Sequence, residues 1–242
     1  MCLFSGDIES VSNTKIFVSP CSGNSTQLTV YSNKVSVENE AFMVLPFPGK
    51  FVKFVDLTNR KELFGDLNDY FPKTRSMALG VSRSLSFTQV GSYQAIAMQD
   101  FKELVNTSPK LNINISPDLM SFLEKNYSNF GFIVFRLMKN AEYHPFGYVH
   151  TTPNGEMFIP TMHYHSHRID DSKSEVKTDW DHTIYTLNRE VKAGLASLPG
   201  EKVDIRNRHF NYDSLPGDLQ SPEFLMKYKV RGTNFPNMDL VC

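Results

Sequence analysis

The chain's chemistry is concentrated in one stretch. Phe158-Ile-Pro-Thr-Met-His-Tyr-His-Ser-His167 places three of its 7 histidines at alternating positions. His144 and His150 precede it, and Asp179-Trp-Asp-His182 follows it. No other segment is so dense in groups that bind metal or move protons near neutral pH. In a strand, His163, His165 and His167 share a face. Adjacent members then stand about 6.8 Å apart at Cα, a span one ion can bridge; the outer pair, about 13.6 Å apart, cannot share an ion unless the strand bends. At most two of the three therefore ligate one ion. A third ligand must come from elsewhere, and His150, His182 and Asp181 are the candidates. Such a set would hold zinc or another divalent metal with one open position, as in a metal-dependent hydrolase. The same alternation suits a solvated or stacked row of histidines on a sheet face. Neither an HExxH helix nor a cysteine ligand accompanies it.

Cys2 is the second chemical candidate. Removal of Met1 would leave a terminal cysteine whose thiol is a nucleophile and whose α-amine is its own general base. N-terminal-nucleophile amidohydrolases work this way. The competing reading is a small apolar residue at the start of an edge strand with Leu3 and Phe4. No partner that would orient Cys2 can be picked out from the sequence.

These residues need elements to hold them. Thr14–Val18 and Gln27–Val35 read as strands around the turn residues of Ser19-Pro-Cys-Ser-Gly-Asn24. Ala41–Leu45 is apolar throughout, as a central strand would be, and Pro46 and Pro48 should stop it. Thr58 is expected to cap a helix to Tyr70, with Leu63, Phe64, Leu67, Tyr70 and Phe71 on one face. Arg75–Ser86 reads as a loop, and Ser86–Val90 and Tyr93–Met98 as two strands. Asp100-Phe-Lys-Glu103 resembles a capping box, and Ser116-Pro-Asp118 is a helix start with its cap and a proline at the first turn. Gly131–Met138 is the most apolar strand. Pro145–His150 and Glu156–His167 are expected to form a hairpin around Asn154-Gly155, bringing His150 to the histidine row. Trp180–Leu187 reads as a strand and Asn188–Ser197 as a short helix.

The expected fold is therefore α+β: mainly antiparallel β-sheet, in one arrangement a two-sheet sandwich, with about three short helices. Residues 1–199 are expected to form the single domain. Residues 200–242, rich in Gly and Pro with scattered anchors such as Phe210, Tyr212, Phe224 and Tyr228, read as an extended C-terminal tail. That tail would lie across the domain or on a partner.

Several of these stretches, in this order, resemble an uncharacterised bacterial domain family: Cys2-Leu-Phe-Ser5, Ala41-Phe-Met-Val-Leu-Pro-Phe-Pro48, Val90-Gly-Ser-Tyr93, Ile115-Ser-Pro117, the Phe132–Met138 strand, Pro145 and Phe158-Ile-Pro160. Secreted members of that family open near Cys-Gly-Gly-Phe-Phe and carry Trp-Val-Leu-Pro-Val-Pro; Met43 stands here where they often have Trp. Intracellular relatives open Met-Cys-x-Phe-Ser and carry a segment like Ile159–His165. The resemblance covers roughly residues 2 to 187 and implies a shared fold without a stated function.

Composition narrows the function classes. A net charge of -1 gives no basic field for nucleic acid or an anionic membrane. No apolar run reaches the roughly 18 residues of a spanning helix, and the start lacks a signal peptide's basic and apolar regions. The cysteines, Cys2, Cys21 and Cys242, are scattered, which suits neither a disulfide framework nor a zinc ribbon. The expected setting is intracellular and cytoplasmic. The sequence favours a non-catalytic structural or interaction protein, meeting a protein partner or another copy of itself through the C-terminal tail. A divalent-metal protein and a Cys2 amidohydrolase are the alternatives.

Overall fold

A computed structural model describes residues 2–21, 25–71, 88–90, 93–139, 143–165, 181–193, 196–206, 219, 223–232 and 235–242. The expected loop at 75–86 and the anchors Phe210 and Tyr212 lie outside them. The strands are β1 (Cys2–Pro20), β2 (Thr26–Phe47), β3 (Phe51–Val55), β4 (Thr88–Val90), β5 (Tyr93–Met98), β6 (Gly131–Met138), β7 (Phe146–Thr151), β8 (Phe158–Ile159), β9 (His163–His165), β10 (Asp181–Leu187), β11 (Lys192–Ala193), β12 (Ala196–Ser197), β13 (Glu201–Asp204), β14 (Phe224–Arg231) and β15 (Leu240–Val241). The α-helices among the described residues are α1 (Leu63–Asp69), α2 (Phe101–Thr107) and α3 (Pro117–Tyr127).

The chain is organised around β1 and β2, which pair antiparallel over nearly their whole length. On either side the main sheet runs β13-β14-β10-β1-β2-β6-β5-β4, while β7 branches from β2 and carries β3. A 4-stranded sheet, β12-β11-β15-β8, stands apart from this 11-stranded one. Most pairs are antiparallel, as expected. The departure is β1, which pairs parallel with β10 through Thr14–Val18 and with β9 through Cys2–Phe4. The sheet is therefore mixed.

Apolar runs mark strands covered on both faces. Ile16 and Val18 join one core with β6, α2 and α3; Phe17, between them, joins a second core with Leu28, Val30 and α1. β1 bends at register shifts after Gly6, Ile8 and Ser12. Gly6 sits at φ +104, where a Cβ would lie 2.9 Å from the Glu40 carbonyl, so only glycine fits. β2 runs through Pro46 because β1 pairs only as far as Val44, which leaves the proline nitrogen with no ladder bond to make on that side.

Local signals fared unevenly. The Ser116 Oγ accepts from Leu119 N, and Asp100 Oδ1 accepts from Glu103 N at 2.7 Å, so both caps form. The Glu103 carboxylate returns to Gln99 N–H at 2.6 Å, one residue before the place a capping box predicts. Thr58 is not a cap: the Asp56 carboxylate takes both its N–H and its hydroxyl, and α1 starts at Leu63. The helix expected at 188–197 is instead the short antiparallel pair β11 and β12. Residues after 200 contribute strands to both sheets: β14 lies along all of β10, with β13 beside it, and β15 pairs β8.

Candidate functional site

The histidine row does not assemble as the hairpin would require. β7 pairs with β2 and β3, not with β8 or β9, and Pro153–Gly155 forms a 3₁₀ turn with Asn154 at φ 60. His150 is buried against the rings of Phe47 and Tyr148, with centroids 5.6 Å away in each case. Its Nδ1 lies 3.1 Å from the Pro48 carbonyl and 2.9 Å from that of Thr151. Two acceptors fix the proton on Nδ1 and leave Nε2 with the lone pair. That Nε2 is buried and has no hydrogen-bond partner. A carbonyl on Nδ1 is the usual support of a metal-bound imidazole. No group of three His, Cys, Asp or Glu side chains suited to a metal ion exists among the described residues, however.

His163 and His182 do come together. Their rings stand 6.1 Å apart, edge to face, and both are buried. β9 and β10 both pair with β1, at Cys2 and at Thr14, positions that a straight strand would hold about 40 Å apart. The bends in β1 close that gap. Asp181 is exposed, on the face opposite its neighbour His182, so it does not join the pair. Cys2 stands in register with His163, and His165 with Phe4. The side chains of Cys2 and His165 lie outside the described residues. Burial holds His182 well below the usual imidazole range, and the charge of His163 adds to the shift. His182 is therefore neutral at pH 7, the state a ligand or proton acceptor needs.

The pair's backbone is braced by a feature the sequence did not flag. Asn237 Oδ1 accepts from His163 N at 2.7 Å, and its Nδ2 donates to His163 O at 2.7 Å. Asp239 is half-buried; its Oδ1 accepts from Thr161 N and Met162 N, both at 2.8 Å, and its Oδ2 from the Tyr127 hydroxyl at 2.6 Å. Burial pushes its pKa up in spite of these donors. A lone acid set in Met238-Asp-Leu-Val-Cys242 was the available signal.

A pH dependence follows from His150. Burial lowers its pKa from 6.5 to about 4, so the unfolded state binds the proton more readily. The stability it contributes is complete above about pH 6.5 and is lost as pH falls toward 4, about 3 kcal/mol in all. Urea titrations of wild type should show that fall. His150→Phe keeps the ring packing, gives up the Nδ1 bonds at a cost of about 1 kcal/mol at pH 7, and should flatten the profile. An unchanged profile in the variant would assign the acid sensitivity to other groups.

No family model and no curated protein sequence matches the chain. Among solved structures, baculovirus P35 is similar to it, with TM-score 0.57 and 10% identity over 99% of this chain and 98% of that one. P35 in its complex with caspase-8 aligns at TM-score 0.44 and 11% identity, over 95% of this chain and 90% of that one. Mutated P35 after caspase cleavage aligns at 0.46 and 13%, over 76% and 69%. The likeness to P35 is one of fold. No helix of the described residues is long and apolar enough to cross a membrane.

Proposed function

We propose that this chain is a non-catalytic interaction protein that acts by binding a protein partner. The observation that carries the proposal is the fold it shares with P35 over almost the whole of both chains. The placement of the chemical groups supports it. His150 serves as a core ring, Asp181 points away from His182, and Asp239 is used up in holding backbone. Among the described residues after 200, β13 and β14 are built into the main sheet and β15 into the smaller one. P35 itself has been crystallised with caspase-8, and that protease is the first partner to assay.

The experiment is size-exclusion chromatography of the purified chain mixed with purified caspase-8, with the protease activity of each fraction measured. A co-eluting complex is the expected result. Separate elution at tens of micromolar would remove caspase-8 as the partner and, with it, the function suggested by the fold. A parallel melt with added zinc should show no shift in melting temperature. A rise of several degrees would favour the reading in which His163 and His182 hold a divalent ion.

A further inference from the structure

The last eight residues, Phe235-Pro-Asn-Met-Asp-Leu-Val-Cys242, form an arm whose bonds run to a short list of groups. Asn237 brackets the backbone of His163. Asp239 takes Thr161 N–H, Met162 N–H and the Tyr127 hydroxyl. The Thr161 hydroxyl donates to the Met238 carbonyl at 2.7 Å. Leu240 and Val241 lie antiparallel to Ile159 and Phe158, and Val241 also lies opposite Lys192 of β11. Cys242 and Met157 exchange both backbone bonds, at 2.8 and 3.0 Å. Leu240 and Cys242 are buried, while Met238 is 37% exposed.

This is strand addition: the backbone supplies the pairing, and pockets for particular side chains supply the selectivity. The groove between α3, residues 157–163 and β11 is thus a peptide site. Its ligand is an extended segment with an amide side chain, then an acid two positions on, then an apolar residue. Nothing in these bonds depends on which molecule the arm belongs to. The sequence known to fit the groove is the chain's own arm, and every other copy carries it. We propose that the groove also accepts the arm of a second copy, so that two chains join by reciprocal exchange of residues 235–242. The inference rests on the interaction reading above and names another copy of the chain as a partner of this surface.

The tethered arm competes with any arm in trans at an effective concentration of order millimolar. Weakening it in place should therefore open the groove. Full-length Asp239→Ala removes the half-buried anchor and leaves Tyr127, Thr161, Met162 and β8 intact. A fluorescently labelled octapeptide of residues 235–242, kept reduced, is the probe for the second copy's arm. Fluorescence polarisation should show saturable binding to Asp239→Ala at least about tenfold tighter than to wild type. The octapeptide carrying Ala in place of Asp239 should bind neither protein. If Asp239→Ala loses its cooperative melt, full-length Asn237→Ala, which removes only the bracket on His163, takes its place. Absence of octapeptide binding to a folded variant overturns the proposal, as does equal binding by wild type and variant or indifference to the peptide's aspartate. The assay contains no outside protein, so its failure is separate from a failure to bind caspase-8.

Discussion

Val134→Asp should leave no cooperatively folded protein at pH 7. Ile133, Val134 and Phe135 are all fully buried in β6, so both faces of this strand are covered. Val134 lies opposite Val44 on one side and Ile96 on the other, so it also lacks an open edge. A carboxylate there is set among the apolar side chains of the core. It can stay charged only against desolvation, or raise its pKa by some 3–5 units and become neutral, which costs about 4 kcal/mol at pH 7 before the lost valine packing and the burial of the neutral acid are added. That is comparable with the whole stability of an ordinary domain, about 5–15 kcal/mol. Val134→Ala removes only methyl groups and should cost about 2 kcal/mol. Met138→Asp, on the same strand at 46% exposure, should change stability by less than about 0.5 kcal/mol. Urea unfolding of the three variants checks the order. A soluble Val134→Asp with wild-type stability would mean that β6 is not the centre of the sheet.

What was legible in the sequence was local. The Gly131–Met138 run declares itself because a strand buried on both faces needs apolar residues at successive positions. Ser116-Pro117 declares α3 because cap and first turn are read from adjacent residues. Thr58 misled because a competing acceptor, Asp56, sits two residues away and takes the same N–H. At 188–197, Asn188 adopts φ 57, and its side-chain oxygen accepts from Glu223 N and Phe224 N, 35 and 36 residues away. That long-range tie sets the chain into an extended path that no local propensity reveals.

The histidines show the same divide more sharply. Alternation at 163 and 165 gives a shared face, and the sequence does place β9 there. Which other histidine meets His163 is decided by the parallel pairing of β1 with both β9 and β10, and by the bends in β1. Register between distant strands has no signature in spacing, so the expected hairpin favoured His150 over His182. The role of Asp239, marked only by a lone acid in an apolar run, was hidden for a related reason: its donors come from residues 127, 161 and 162.

Truncation after Ser197 should abolish the folded state as well, through the sheet and not through a single side chain. The deletion removes β13, β14 and β15. It takes away Leu225, Met226, Tyr228, Val230 and Leu240, all buried. At about 2 kcal/mol for each such side chain, the lost burial is of order 10 kcal/mol, again near the total stability. Polar ties go with it. Val191 N loses the Tyr228 hydroxyl at 3.0 Å, and Asn188 N loses the Phe224 carbonyl at 3.0 Å. β10 then becomes an edge that presents Ile184 and Leu187 beside unpaired backbone, a template for aggregation. Truncation after Arg231 is the informative contrast, because it keeps β14 and deletes the Asn237 and Asp239 contacts along with β15. It should yield a soluble protein with a lowered melting temperature. Near-ultraviolet circular dichroism and size exclusion of the two truncated chains separate the cases. If the chain ending at Ser197 keeps its melting temperature and its size, β14 cannot be a structural member of the main sheet.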